Sequence, residues 1–260
     1  MSEPYYLAQI TDCHLQNDPA QRYRERDVEA SFDAVVADLQ HNYPAIDRLL
    51  LTGDLVHHGG PAGYQRLLQK IRALELHSHW IPGNHDDATL MQQLGGDLNR
   101  RSFRVPGWGM ILLDSTALPD GRGSGSLADS ELEFLLQQLE AFHDSHCLVV
   151  LHHNPIPVQS VWQDEIRLGN SQSFWDIAER HPQLKGVIFG HVHQEWDIER
   201  NGVRVLSCPA SSVQFKKHCD AMTLEGDPVL QLPAYRTLAL YTDGRIETSV
   251  KRVAVGGCAD

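Results

Sequence analysis

The chain has 260 residues, of which 42% are hydrophobic and 22% are charged, and its formal net charge is -12. This composition is ordinary for a globular protein, and the negative charge argues against a general nucleic-acid binder, which usually presents a basic face. We expect one domain over residues 1–260, because no Pro/Ser-rich or highly charged linker divides the chain.

The cysteines and the amino terminus bear on the cellular compartment. Five cysteines, Cys258 among them, form no CxxC pair, and their odd number argues against a disulfide framework or a zinc ribbon. Residues 1–6 do not resemble a leader, and no apolar run approaches the length of a membrane span. We therefore predict a cytoplasmic protein without a membrane partner.

In chain order, short apolar runs alternate with segments of helical periodicity, which is the pattern of an α/β fold. Helices are predicted over 27–40, 63–74 and 88–94, and a leucine stripe predicts another that begins at Asp129 or Ser130. A hairpin is predicted from 103–105 to 110–114. Buried strands are predicted at 5–11, 48–52, 79–81, 147–151 and 185–189.

The pattern changes after residue 193. Short β-rich runs at 196–198, 203–207, 235–241 and 246–250 suggest an antiparallel sheet stacked on the first. Residues 209–232 form a long irregular segment, which is a candidate lid or dimer contact, so a homodimer stays open. Residues 156–170 also lack a strong period, and this segment suits a flap over a pocket.

All five buried strands end in side chains that can bind a metal. Ligands of α/β sheets bind at the carboxyl ends of strands, so these ends are expected to converge on one site. The donors suit Mn, Fe, Zn, Co or Ni better than Ca, and they are too many for one ion. Two divalent ions would also reverse the local negative field of an acidic chain. The side chains are Asp12 and His14, Asp54, Asn84 and His85, His152 or His153, and His191 and His193.

Some residues near these strand ends have a simpler interpretation. His57 and His58 lie in a Gly-rich turn and are interpreted as solvated loop histidines. Cys13 is favoured as an inert packing residue over an oxidation-sensitive one. Adjacent side chains leave a strand in opposite directions, so only one of His152 and His153 is expected to face the site, and we favour His152.

The motifs D-x-H, GD, GNHD, HH-x-P and GHVH, in this order, resemble the calcineurin-like metallophosphoesterase superfamily over roughly Ile10 to His193. ITDCHL, TGDLVHHGG, PGNHDD, LHHNPIP, GHVHQEWD and VQFKKHC resemble the bacterial class III cyclic nucleotide phosphodiesterases over almost the whole chain. This resemblance implies a four-layer αββα sandwich, in which two mixed β-sheets are flanked by helices.

The resemblance also implies an activity, the hydrolysis of 3',5'-cyclic AMP to 5'-AMP by a hydroxide that bridges two metal ions, often iron with manganese. Asp54 would be shared by both ions, and His85 would lie near the phosphorus and protonate the leaving oxygen. Asn84, His85 and His193 would contact the substrate, with Trp162 and Phe215 as candidate platforms for the adenine. One ion would be held by Asp12, His14 and His193, and the other by Asn84, His152 and His191.

Two other functions stay open from the sequence. One keeps the metals and acts on another small phosphodiester or phosphomonoester. The other is a binding module that has kept the fold and lost the chemistry, but such proteins lack ligand residues and here none is missing. The acidic charge disfavours nucleic-acid polymers in either case.

Overall fold

The structure, a computed structural model, describes residues 3–43 and 45–256, so the first two residues and Cys258 lie outside it. Within these residues the chain forms eleven strands and six α-helices. In order they are β1 Tyr5–Ile10, α1 Val28–Asn42, β2 Arg48–Thr52, α2 Pro61–Arg72, β3 His77–Ile81, α3 Ala88–Gly95, β4 Ser102–Val105, β5 Trp108–Leu112, α4 Asp129–Ala141, β6 His146–Val150, α5 Val161–Glu165, α6 Ser171–Ala178, β7 Leu184–Phe189, β8 Trp196–Arg200, β9 Val203–Ser207, β10 Ala234–Leu240 and β11 Ile246–Arg252.

The strands form two mixed sheets. The first has the order β11-β10-β1-β2-β3, and the second has the order β4-β5-β6-β7-β9-β8. In the first sheet β1, β2 and β3 are parallel, whereas β10 pairs antiparallel with β1. In the second sheet β5, β6, β7 and β9 are parallel and both edge strands, β4 and β8, are antiparallel. The central strands are apolar on both sides because both faces of each sheet are covered.

Three hydrophobic clusters separate four layers. One lies between helices α1–α3 and the first sheet, and includes Phe32, Leu67 and Leu51. A second lies between α4, α6 and the second sheet, with Leu135 and Phe174 at its centre. The third fills the space between the sheets. The predicted αββα sandwich is therefore confirmed.

The late strands correct one sequence expectation. They do not form a separate antiparallel sheet, because β8 and β9 extend the second sheet while β10 and β11 extend the first. Helix α6 was not anticipated, and the segment interpreted as a flap contains the short helix α5. The other elements lie within a few residues of their predicted bounds. In the part of the chain that the structure describes, no helix is long and apolar enough to cross a membrane.

The topology brings the metal-binding candidates to one edge. The parallel strands β1, β2 and β3 all end there, and β6 and β7 end opposite them in the second sheet. The chain after β9 packs against this edge and is hydrogen-bonded to the residues that follow β1. Ser211 N donates to the carbonyl oxygen of Thr11 at 3.0 Å, and Ser212 Oγ donates to the carbonyl oxygen of Asp12 at 2.6 Å. The start of the irregular segment 209–232 is therefore buried beneath the site and supports it.

Arg236 on β10 ties the two sheets together. Its side chain is 2% exposed, and its Nη2 donates to the carbonyl oxygens of Ser207 at 2.8 Å and Trp196 at 3.2 Å, on the opposite sheet. Its Nη1 donates to Thr248 Oγ1 at 2.9 Å on its own sheet. A buried cation is stable here because backbone carbonyls replace the water that burial removes.

Replacing Arg236 with Met should lower the free energy of unfolding by about 3 kcal/mol, because the buried carbonyls lose their donors. The measurement is urea unfolding followed by circular dichroism. Arg245→Met, which removes an exposed ion pair with Glu247, is the matched control and should change stability by less than about 0.5 kcal/mol. Equal losses in the two variants would contradict the role assigned to Arg236.

Candidate metal centre

Six of the predicted side chains form two compact groups at the strand ends. Within each group, one potential ligand atom from every member lies within 4.8 Å of the others, and all six residues are buried. Both groups contain residues from both sheets. The first group is Asp12, His14 and His193, and the second is Asp54, His152 and His191.

In the first group the free ring nitrogens converge. The Nε2 atom of His193 lies 3.2 Å from Asp12 Oδ1 and 3.2 Å from His14 Nε2. The other nitrogen of His193, Nδ1, is 2.6 Å from the carbonyl oxygen of Val213. That hydrogen bond orients the ring, as outer partners do for metal-bound histidines. The expected ligand atoms of these three residues therefore face one another.

The second group has the same construction. His152 Nδ1 lies 2.9 Å from the carbonyl oxygen of Thr52, and Nε2 lies 3.5 Å from Asp54 Oδ2. His191 Nε2 lies 3.1 Å from the carbonyl oxygen of Ile166, and among the described residues Nδ1 has no hydrogen-bond partner. By contrast His153 uses both nitrogens elsewhere, on Ser115 Oγ at 2.8 Å and on the carbonyl oxygen of Gly123 at 3.2 Å.

The Asp54 carboxylate lies between the two groups. Its Oδ2 is 3.7 Å from Nε2 of His14 in the first group and 3.5 Å from Nε2 of His152 in the second. Its Oδ1 accepts a hydrogen bond of 2.8 Å from the backbone N–H of His85. One carboxylate thus faces both donor sets and is held by the loop that carries Asn84 and His85.

The backbone turns sharply at these strand ends. Five candidate ligands have left-handed backbone conformations, with φ between 46° and 68°. Gly53 (φ 95°) and Gly83 allow the two loops to approach closely, since a Cβ on Gly53 would lie 2.4 Å from the His152 ring and one on Gly83 would lie 2.3 Å from Asp54 Oδ1. The glycines therefore permit the close approach, and the left-handed turns aim the side chains into it. The five ligands are Asp12, His14, Asp54, His191 and His193.

Asp86, the last residue of the GNHD motif, braces two of these loops. Its carboxylate accepts hydrogen bonds from the N–H groups of Leu55, at 3.1 Å, and Gly83, at 3.0 Å. It also accepts from Val56 N at 3.0 Å and from the Tyr64 hydroxyl at 2.8 Å. The motif therefore supplies a structural carboxylate as well as Asn84 and His85.

Burial and neighbouring charge determine the protonation of the site. Burial lowers the pKa of His14 well below its usual range, and burial with the charge of His152 lowers that of His191 to about 3. Burial alone would raise the pKa of Asp54, but the charge of His152, whose Nε2 lies 3.5 Å away, outweighs it and holds that pKa well below its usual range. In return, Asp54 outweighs burial at His152 and raises its pKa to about 9. An ionised carboxylate and neutral imidazoles are the forms that bind metals. Asp54, His14 and His191 are therefore in their binding forms near neutral pH, whereas a metal ion would have to displace a proton from His152.

Two buried atoms indicate that the site fits a metal. His152 Nε2 and Asn84 Oδ1 are shielded from solvent and have no hydrogen-bond partner within residues 3–43 and 45–256. Buried polar atoms are normally paired, so such exceptions point to a missing ligand. Nitrogen and carboxylate donors in this number suit first-row transition metals. The residues present therefore fit metal ions at both groups.

The groups lie at the base of a cleft of about 420 Å³, a size that accepts a nucleotide. Trp162 and Phe215 line it, with ring centroids 5.0 Å apart in an edge-to-face arrangement. Phe215 is only 6% exposed, and its ring also packs 4.5 Å from that of His193. Trp162 is the more open of the two, and its indole nitrogen is shielded and without a partner among the described atoms.

Several cleft residues were missed by the sequence prediction. Tyr23 stacks on His14, with ring centroids 4.3 Å apart and an interplanar angle of 13°. The guanidinium of Arg24 lies 5.3 Å from the Tyr23 ring and 5.5 Å from that of Phe215. Arg122 and Met222 also line the cleft. These residues lie in irregular loops with no periodicity or motif, so the sequence carried no signal for them.

Two residues beside the site can be compared with their interpretation from sequence. Cys13 is fully buried, and burial raises the pKa of its thiol far above its usual range, so it is an inert packing residue. The interpretation of His57 as a solvated loop histidine is wrong, because this residue is half-buried and its Nδ1 lies 3.2 Å from Nδ1 of His14. His58 is exposed, as expected.

Comparison with known proteins identifies the family. Residues 5–195 match the model of the calcineurin-like phosphoesterase family. The chain is 36% identical over 253 residues to a 3',5'-cyclic-nucleotide phosphodiesterase of Nostoc, covering 96% of this chain and 93% of that one. It is also 36% identical over 258 residues to the 3',5'-cyclic adenosine monophosphate phosphodiesterase CpdA of Vibrio vulnificus, covering 96% and 90%.

A solved structure shares the fold at lower identity. A dimetal phosphatase from Danio rerio superposes with a TM-score of 0.65 at 14% identity, covering 97% of this chain and all of that one. The strand order, the two donor groups and the matching family model agree with one another. The chain belongs to the calcineurin-like phosphoesterase family.

Proposed function

We propose that this protein hydrolyses the 3',5'-cyclic phosphodiester of cyclic AMP to 5'-AMP at a centre of two metal ions. The observation that carries the proposal is the Asp54 carboxylate, which lies within 3.7 Å of a ligand nitrogen from each donor group. The substrate is inferred from relatives that are 36% identical over nearly the whole chain and are named cyclic nucleotide phosphodiesterases.

We propose that each donor group holds one metal ion. When bound, the ions would activate the attacking water and neutralise charge that develops on the phosphoryl oxygens. The orphaned Nε2 atom supports His152 over His153 as a ligand, and the orphaned Oδ1 atom supports Asn84. Asp12, His14 and His193 would hold one ion, Asn84, His152 and His191 the other, and Asp54 both.

His85 is not needed as a ligand and is assigned to the substrate. Its backbone N–H holds Asp54 at 2.8 Å, so its side chain starts from a fixed point next to the centre. It lines the cleft with Asn84 and His193. Burial lowers the pKa of His85, so its resting ring is neutral. From its place in the cleft the imidazole would stabilise charge on a phosphoryl oxygen, and it would take up the proton that the attacking water releases and pass it to the leaving 3'-oxygen.

The wall of the cleft suits a purine base. Trp162 offers a partly exposed ring whose indole N–H lacks an acceptor among the described residues, and Phe215 supports that ring edge-to-face at 5.0 Å. We propose that adenine stacks on Trp162 and that Phe215 contributes mainly by holding Trp162 in place. A mixed nitrogen and oxygen donor set supports first-row transition metals. Among these we propose iron and manganese, which the family resemblance implies, with zinc, cobalt or nickel as alternatives. We also propose a cytoplasmic location and a homodimer.

A substrate panel tests the activity. Protein loaded with manganese should hydrolyse cyclic AMP to 5'-AMP, and removal of the metal by a chelator should abolish turnover until manganese is restored. Cyclic AMP, bis(p-nitrophenyl) phosphate and a phosphomonoester are compared by chromatography of the products. Turnover of the artificial diester alone would reject cyclic AMP as substrate and favour another small phosphate ester.

Substitutions at the centre test the ligand assignment. Asp54→Asn should lower kcat by at least about a hundredfold, because even loss of an outer partner of a metal ligand costs 10–100-fold. His58→Asn, at an exposed neighbour in the same turn, is the control and should keep full activity. A comparable loss in both variants would show that the turn, and not the carboxylate, is responsible.

The choice between adjacent histidines is tested by metal content. His152→Ala should retain one metal ion per chain after dialysis, whereas His153→Ala should retain two, because both ring nitrogens of His153 bond to protein groups. Mass spectrometry of the metals gives the count. Two ions in His152→Ala and one in His153→Ala would reverse the assignment.

The proposed base platform predicts a change in KM. Trp162→Ala should raise KM for cyclic AMP roughly tenfold with kcat within about twofold, since stacking of one base is worth about 1–3 kcal/mol. Trp162→Phe keeps an aromatic ring but loses the indole N–H, so its KM should lie between those of the wild type and Trp162→Ala. An unchanged KM in Trp162→Ala would place the base elsewhere.

A further inference from the structure

His57 makes a contact that the proposed activity does not require. Its Nδ1 atom lies 3.2 Å from Nδ1 of His14, and its ring lies 4.6 Å from that of His85. The exposed His58 follows it in the same turn but makes no contact with His14 in the described residues. His57 therefore contacts the site through the candidate ligand His14, and it does not line the cleft.

The geometry of His14 shows what this contact can do. Nε2 of His14 faces His193 Nε2 at 3.2 Å and Asp54 Oδ2 at 3.7 Å, so it is the atom that would bind a metal. A neutral imidazole that binds through Nε2 carries its proton on Nδ1. That proton needs an acceptor, and the nitrogen of His57 is at hydrogen-bond distance.

Other candidate ligands have backbone acceptors in the corresponding place. His152, His191 and His193 each bond through the second ring nitrogen to a backbone carbonyl. For His14 the partner is a side chain. The ring of His14 is further held by stacking on Tyr23 at 4.3 Å, which controls its plane but not the rotation that exchanges its two nitrogens.

We infer that His57 is a positioning residue for the metal centre: it accepts a hydrogen bond from Nδ1–H of His14 and so holds Nε2 of His14 toward the ion shared with Asp12 and His193. The inference rests on the proposed metal ligands but not on cyclic AMP as substrate. His57 acts through His14 and does not itself bind the ion.

The test compares His57→Leu, which removes the acceptor, with His57→Asn, whose amide oxygen can replace Nδ1. His58→Asn is the matched control, because asparagine tolerates the left-handed backbone at that position (φ 60°). Manganese content after dialysis against a graded series of chelator concentrations is measured for each protein. Thermal unfolding of the metal-free proteins shows whether each variant is folded.

His57→Leu should bind one of its two ions about 10–100-fold more weakly, the range measured when outer partners of metal ligands are removed. His57→Asn should recover most of that affinity, and His58→Asn should match the wild type. Adding His57→Leu to His14→Ala should cause no further loss, because the two residues act on the same ion. With bis(p-nitrophenyl) phosphate, saturating manganese should restore kcat in His57→Leu.

Three results would overturn the inference. Wild-type retention of both ions in His57→Leu means that His14 needs no such partner. Equal losses in the Leu and Asn variants, with lower melting temperatures for both, mean a general packing role. A third ion in the wild type that disappears in His57→Leu means that His57 is itself a ligand, since His14, His57 and His85 also form a compact group. If the wild type retains two ions yet does not turn over cyclic AMP, the proposed substrate fails and the inference is still decided by the metal counts.

Discussion

The packing of two sheets with their strand ends at one edge is the constraint on which the site depends. Each donor group takes residues from both sheets, so neither sheet alone could hold an ion. Asp54 comes from the first sheet and lies within 3.7 Å of ligand nitrogens from His14, on its own sheet, and His152, on the other. The apolar layer between the sheets sets that spacing, and Arg236 reinforces it with hydrogen bonds to two carbonyls across the layer. The packing between the sheets therefore determines the distances between the candidate metal ligands.

The sequence was informative where chemistry is local. Apolar runs that end in Asp, Asn or His predicted the five strands and the converging donors, because period and strand length are local properties. The pairing partner of a strand is not a local property. Nothing in the sequence of β10 shows that it lies antiparallel beside β1, and nothing in that of β9 shows that it lies parallel beside β7. His57 was misjudged for the same reason. A histidine in a Gly-rich turn appears solvated until the turn folds back onto His14, and only tertiary structure brings them within 3.2 Å.

The left-handed backbone at five candidate ligands has an energetic meaning. Such conformations cost non-glycine residues on the order of 1 kcal/mol or more each, and aspartate and histidine adopt them more often than most other non-glycine residues. The surrounding hydrogen bonds over-determine these turns: Asp86 braces the loops after β2 and β3, and the backbone of His191 donates to Asp12 at 3.0 Å. These hydrogen bonds help to hold the aspartates and histidines close to one another.

The pairing of β1 with β10 also bears on how the chain is made. Tyr5 pairs with Leu240, so β1 gains its second neighbour only after the ribosome has made β10, long after β1, β2 and β3. Until then β1 is an edge strand of the parallel trio β1, β2 and β3, and an exposed edge is a template for aberrant pairing between nascent chains. Such long-range pairing also slows folding. Production of active protein should therefore respond to slower translation or to chaperones that shield exposed strands, for reasons unrelated to the metals.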